Sequence, residues 1–304
     1  MGFIDFAFNW ACMAKKLQPY KFIIVSQDPE SNVYLKSNTL LSTFDGAAIG
    51  VDSTAAQSAW RSPAYNHIVK MKVLIVRQIL EMGYHVLFSD VDIVWLDDPL
   101  KYFVGDVDWE FEPNELGDDF QPGNTANTGF YWIKSSKKTI DLMKTVEVEA
   151  AKVPDLDDQT VWSILLNDFW QNGTYVYVPA AEKSAQDYLL KLNRNDDPLT
   201  FRQLNSVQFP PGNKYFGKPR DEWEAESART GLTAVFGHIT FVIGHDIKMQ
   251  ALKDNGMWSV KDGALEEAKA WVENRKQKLG DRWTEIEQLN QNREEGLFCM
   301  KQGH

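Results

Sequence analysis

An α/β fold with a mixed, mainly parallel sheet flanked by helices is what this sequence predicts. Apolar runs at helical spacing alternate with short β-branched and aromatic runs through most of the chain. The composition, 43% hydrophobic and 25% charged over 304 residues, is that of a chain with a sizeable core and not of a disordered one.

The elements follow in order. Phe3, Phe6, Ala7, Trp10, Ala11, Ala14 and Leu17 recur at helical spacing in FIDFAFNWACMAKKL. FIIVSQD (22–28) reads as a buried strand, 32–44 as a helix and AAIGVD (47–52) as a short strand. HIVKMKVLIVRQILEMG (67–83) is a long helix whose final glycine suits a C-cap. HVLFSD (85–90) and NTGFYWIK (127–134) are strands, followed by a helix over 136–151. DDQTVWSILLND (157–168) is a helix with acidic residues in its first turn, as the helix dipole favours. TYVYVPA (174–180) is a strand. Pro198, Pro210, Pro211 and Pro219 then punctuate a loop-rich stretch. AVFGHITFVIGH (234–245) reads as a strand and turn, and helices over 263–279 and 282–293 close the chain. With no internal repeat or low-complexity linker, one main domain is expected over 1–260, with a helical extension over 261–304.

The net charge of −11 excludes nucleic-acid binding through a basic surface. It fits either an acidic site for a divalent cation or a surface kept soluble by charge. Cys12 and Cys299 are the two cysteines and form no CxxC, so neither a zinc cage nor a redox pair is indicated; a disulfide between them is compatible with the sequence. No apolar stretch reaches the roughly 18 residues of a membrane span. Asn172-Gly173-Thr174 is a glycosylation sequon, relevant in a secretory compartment.

The chemistry centres on LFSDVDIVWLDDP (87–99), an apolar strand ending on Asp90 and Asp92. In an open α/β sheet, ligands bind beyond the carboxyl ends of the strands. Two residues apart in an extended segment, the carboxylates project to one side and can share Mn²⁺ or Mg²⁺. Such a cation can neutralise a departing diphosphate. Taken alone, the same triplet also suits a solvated turn.

The companions of this motif give it context. They are Lys72 on the preceding helix, Asn127-Thr128-Gly129 opening a strand, Asp157-Asp158-Gln159 opening a helix, and FGHITFVIGHDIKMQALKDNGMW (236–258). In the order of these motifs, and in KMKVLIVRQILEMGYHVLFSDVDIVWLDDP above all, the chain resembles the plant and algal nucleotide-diphospho-sugar transferases. These include xylosyl-, arabinosyl- and galactosyltransferases acting on cell-wall polymers and glycoproteins. The resemblance runs from residue 3 to about Trp258.

What the resemblance implies is a GT-A (Rossmann-like) fold, a UDP-linked nucleotide-sugar donor, a glycan or glycoprotein acceptor, Mn²⁺ (or Mg²⁺) and retention of anomeric configuration. It further implies residence in the Golgi lumen, through a membrane anchor not contained in this chain. By the same resemblance Asp90 and Asp92 are metal ligands, with Asp90 also at the nucleotide, and His238 completes the metal site. Gly244 and Lys248 lie at the diphosphate, Asn127 near the donor sugar, and Asp158 and Gln159 bind sugar hydroxyls. Thr240 stands where the family carries Asn.

Each assignment has a plainer counterpart. Lys72 can reach the nucleotide or sit on a solvated helix face; Lys248 also suits a solvated helix face, Asn127 a turn, and Asp157 or Asp155 an ordinary helix cap. His245 competes with His238 for the metal; His67 and His85 read as structural. The first element is a helix, so either this fold starts differently or the chain begins after its first strand. Two other functions compete: a haloacid-dehalogenase-like phosphotransferase using Asp90 and Asp92, and a non-catalytic degenerate transferase acting as a binding partner.

Overall fold

The computed structural model of the protein describes residues 2–17, 22–37, 41–50, 61–114, 126–171, 175–179, 188–192, 198–217 and 220–285. Along the chain the first elements are α1 (Ile4–Leu17), β1 (Ile24–Ser26), α2 (Pro29–Lys36), β2 (Thr43–Asp45) and α3 (Pro63–Glu81). Then come β3 (Val86–Ser89), β4 (Ile93–Trp95), β5 (Trp109–Pro113), β6 (Ala126–Ile133), α4 (Lys137–Lys152) and α5 (Asp158–Gln171). The remainder comprises β7 (Tyr175–Pro179), β8 (Tyr188–Leu192), β9 (Leu199–Gln203), α6 (Gly212–Tyr215), α7 (Arg220–Thr230), β10 (Phe236–His238), α8 (His245–Asp254) and α9 (Ala264–Leu279). The sequon, Cys299, Pro219, most of the loop over 106–126 and the helix expected beyond 285 lie outside the described residues. The chain forms two compact units, Met1–Ala59 with Ile243–His304, and Trp60–Val242.

In the first unit, α1 buries Phe6, Phe8 and Trp10, as its helical spacing demands. Asn9 is buried on the same helix, where its amide donates to the Met257 carbonyl (3.0 Å) and its oxygen accepts from Ser259 N (2.7 Å). Cys12 is buried and is not a free thiol. β1 and β2 pair in parallel. The helix expected over 32–44 is corrected to 29–36. Asp28 caps it by accepting from Ser31 N (2.8 Å), Pro29 occupies its first turn, and Thr43–Asp45 is strand. The strand expected over 47–52 is corrected too: Gly46–Ile49 is a 3₁₀ turn capped by Asp45. α9 packs Trp271 edge-on against Tyr34 of α2, ring centroids 5.4 Å apart.

The second unit is built on a six-stranded sheet in the order β3-β6-β5-β9-β8-β7. The mixed α/β class holds. Within this sheet, however, β5–β9 is the parallel pair and the other described pairs are antiparallel, so the expected parallel majority is not found here. Most of the difference lies in β5, β8 and β9, which run through stretches where the sequence predicts loop, and in the antiparallel pairing of β3 with β6. β5 (WEFEP) carries glutamate at alternate positions, and charged residues do not advertise a strand.

Helices α3, α4 and α5 cover one face of the sheet, with Val76, Leu80, Trp109, Phe111, Leu142, Val146, Trp162 and Phe201 at the centre of the core. Trp109 and Trp162 stack there with centroids 4.6 Å apart. Each fully buried side chain of this size contributes about 1.5–3 kcal/mol. β4 and β10 form an antiparallel pair whose Phe236 packs against Phe130 of β6 (4.7 Å) and Phe209 (5.3 Å). Among the described residues, no helix is long and apolar enough to cross a membrane.

Candidate active site and metal centre

Three local arrangements bring the acidic motif into a cluster. First, α3 starts earlier than its apolar periodicity indicated, because Ser62 caps it and Pro63 opens it. Asn66 and Lys70 on α3 then hold the segment leading to α5. Asn66 donates to the Asp155 carbonyl (2.7 Å), and Lys70 to the carbonyls of Ala150, Val153 and Pro154 (3.1, 2.6 and 3.2 Å). Second, β3 is extended past its end by the Asp90 N–H, which donates to the Gly129 carbonyl (2.7 Å). Third, the antiparallel register of β4 and β10 sets His238 opposite Ile93, and Ile239 N donates to the Asp92 carbonyl (3.2 Å). A turn after β3 and a strand far along the chain thus meet.

The result is a trio. Asp90, Asp92 and His238 each offer one ligand atom, and these atoms lie within 4.8 Å of one another. His238 Nε2 is 3.4 Å from an Asp92 oxygen, while its Nδ1 faces both oxygens of Glu112 at 2.8 and 3.1 Å. Lys72 donates to Asp90 Oδ2 at 2.8 Å. Two carboxylates plus an imidazole nitrogen turned toward them form a donor set that fits a divalent cation.

The charges balance inside the cluster. Burial disfavours the charged form of Lys72, but Asp90 and Asp158 outweigh it and hold the ammonium well above its ordinary range. Burial likewise opposes His238⁺, yet Glu112 and Asp92 raise it to about 10. Burial pushes Glu112 up to about 7 against the pull of His238, with Asp92 and Asp90 adding to the rise. Burial pushes Asp158 up to about 6; Lys72 opposes this, and Asp90 adds to it.

Of the residues selected from the sequence, Lys72, Asp90, Asp92, Asn127, Asp158, Gln159 and His238 all belong to the second unit. Asp157 takes the capping role at α5 by accepting from Thr160 N (2.7 Å), and Asp158 is hydrogen-bonded by the Thr128 side chain. Gln159 accepts from Thr128 N (3.5 Å) and donates to Asn114 (3.3 Å). The Asn127 oxygen accepts from Gly129 N (2.8 Å), a turn-stabilising contact.

Gly244 and Lys248 belong to the first unit. Gly244 has φ 104°, a conformation that favours glycine, and its carbonyl accepts from Lys248 N in the first turn of α8. His245 is engaged within that unit by Asp5 (2.9 Å) and Asp246 (2.8 Å), so the acidic trio is completed by His238.

Glu112 and Asn114 are not among the candidates read from the sequence, and Thr128 and Gly129 enter only as part of the Asn127-Thr128-Gly129 motif, with no role of their own. For Glu112 a signal existed: a glutamate in the middle of WEFEP needs a partner when that strand is buried.

The family model for nucleotide-diphospho-sugar transferases matches residues 20–252, most of the chain. The chain belongs to that family. Membership supports the glycosyltransferase class and sets aside the haloacid-dehalogenase-like phosphotransferase.

Two relatives of this nucleotide-diphospho-sugar transferase are instructive. A UDP-galactose:fucoside alpha-3-galactosyltransferase of Dictyostelium discoideum is 28% identical over 223 residues, covering 71% of this chain and 32% of that protein. A UDP-D-xylose:L-fucose alpha-1,3-D-xylosyltransferase of Arabidopsis thaliana is 26% identical over 281 residues, covering 87% of this chain and 68% of that protein. The chain therefore spans about a third of the first relative and about two thirds of the second. No solved structure matches it.

Proposed function

We propose that this chain transfers a sugar from a UDP-linked donor to a hydroxyl of a glycan or glycoprotein, with retention and with a divalent cation held by Asp90, Asp92 and His238. The observation that carries the reading is the convergence of those three residues beyond the carboxyl end of β3, in a chain of this family. A cation there supplies positive charge to the donor diphosphate.

The remaining roles follow from placement. Lys72, mostly buried beside Asp90, adds a fixed positive charge at the same place. Asp158 and Gln159, at the start of α5, offer a carboxylate and an amide to sugar hydroxyls. Asn127, whose oxygen accepts from Gly129 N, is assigned to the neighbourhood of the donor sugar. Gly244 and Lys248 remain proposed diphosphate contacts, on the chemistry of a glycine that admits close approach and a lysine that supplies charge.

Both relatives named above transfer from UDP-sugars to fucose or a fucoside and form α linkages. Donors of this kind carry their sugar α-linked, which supports retention here and makes fucosides the first acceptors to try. The Golgi lumen is the compartment expected for such a chemistry; finding a glycosidase-sensitive sugar on Asn172 in the native host would support it.

The test is calorimetry with UDP and Mn²⁺, followed by turnover with a UDP-sugar panel and fucoside acceptors. Metal-dependent UDP binding that disappears in Asp92→Ala is expected. Binding without any donor hydrolysis or transfer would leave the chain a non-catalytic binder; no metal-dependent binding at all would defeat the proposal.

A further inference from the structure

We infer that Glu112 is a positioning residue for the cation site: it holds His238 by Nδ1, turns Nε2 toward Asp92, and thereby sets the affinity for the cation. The inference rests on the metal-site reading above and goes one residue beyond it.

Strand geometry makes the contact. Phe236 and His238 stand two apart on β10 and so project to the same face. Phe236 lands on Phe130 of β6, and His238 lands on Glu112 of β5. On β5, Phe111 enters the helix-covered core, so its neighbour Glu112 points the other way. The β5–β6 ladder breaks its register at this place: Phe111 pairs with Tyr131 but Glu112 with Asn127, leaving Thr128, Gly129 and Phe130 as extra length on β6. Such irregularities re-aim side chains beside active sites. Here the break sets Glu112 under the imidazole and Gly129 against it.

The burial is what requires an explanation. Glu112 is 0% exposed and His238 2%. Among the described residues, the Glu112 carboxylate hydrogen-bonds to His238 alone. A carboxylate in so dry a place is costly, and replacing such a pair by apolar residues is often neutral or stabilising. A role in orienting a metal-ligating histidine accounts for its presence. A carboxylate on the far nitrogen fixes the tautomer with Nδ1–H donating, leaves Nε2 as the ligand atom and raises its basicity.

Titration of Mn²⁺ into the UDP-saturated protein, followed by the electron paramagnetic resonance signal of free Mn²⁺, tests this. Glu112→Ala is expected to weaken Mn²⁺ binding by about 100-fold, and the isosteric Glu112→Gln, which still accepts from Nδ1–H, by about 10-fold. In a His238→Ala background, both substitutions are expected to change nothing further. That pattern separates orientation of His238 from a general loss of fold or of negative charge, which would weaken binding in either background. Should Glu112→Ala not fold, Glu112→Gln in both backgrounds carries the test. Wild-type affinity in the Glu112 variants, or equal weakening with and without His238, overturns the inference alone. Absence of Mn²⁺ binding by the wild type overturns the metal-site reading and this inference with it.

Discussion

A methyl group on Gly129 would come within 2.4 Å of His238 Cε1, closer than any real contact permits, and within 3.0 Å of Asp90 Oδ2 and of Asn127 Oδ1. Gly129 is therefore the floor against which the imidazole and the first aspartate are packed. Gly129→Ala is expected to destabilise the protein by about 1–3 kcal/mol and to abolish Mn²⁺-dependent UDP binding. Urea denaturation and calorimetry on the same sample check both. A folded Gly129→Ala protein with unchanged binding would mean that His238 lies off the site.

Lys72 faces Asp90 at 2.8 Å, mostly buried, with Phe88 beneath its ammonium (5.6 Å to the ring centroid). If its charge serves the donor, Lys72→Met lowers transfer by about 100-fold, the scale seen when one preorganised electrostatic group is removed. A solvated helix-face lysine would show no such loss. Initial rates at saturating donor decide between the two.

Arg202 and Glu110 form a buried ion pair at directly opposed positions of the parallel β5–β9 ladder. Glu110 also accepts from Val104 N and Gly105 N at 3.1 Å each. Removing one partner leaves the other charge buried, so Arg202→Met should cost about 3–5 kcal/mol. The pair lies outside the candidate site, and UDP binding by the folded fraction should be unaffected. Denaturant titration with calorimetry below the midpoint measures the two separately.

His245 provides a pH handle in the first unit. Hydrogen bonding of its ring to the Asp5 carboxylate raises its pKa above the ordinary 6.5; burial opposes this, and Asp246 adds to the rise. A group raised in the folded state contributes stability that is fully present below its unfolded value, near 6.5, and is lost as pH rises through the folded value. The deficit of His245→Gln relative to wild type should therefore be largest below pH 6.5 and shrink toward alkaline pH. Thermal melts across that range test the sign; a deficit that grows with pH would contradict it.

Much of this was legible along the chain. Periodicity marked α1, α3, α4 and α5, and the apolar run ending in DVD marked β3 and its chemical end. The turn residues after β1 were misread, because Asp28 and Asp45 act as caps and shift the elements that follow them. β5 and β9 were missed because their alternation includes Glu110, Glu112 and Arg202, charged residues that become strand-compatible only once they face each other or His238. The same omission concealed the antiparallel pairs of the sheet.

The sequence by itself determined the α/β class, the family and the two aspartates, since each depends on residue types and spacings within a short window. Tertiary structure alone decided how a histidine reaches them. The resemblance favours His238 over His245, seven residues on, but it is the pairing of β10 with β4 that brings His238 to Asp92, while His245 is held by Asp5 and Asp246. The buried glutamate behind His238 and the glycine beneath it come from the same source. Cross-strand neighbours are chosen by ladder register and sheet packing, which a local pattern of residues does not contain.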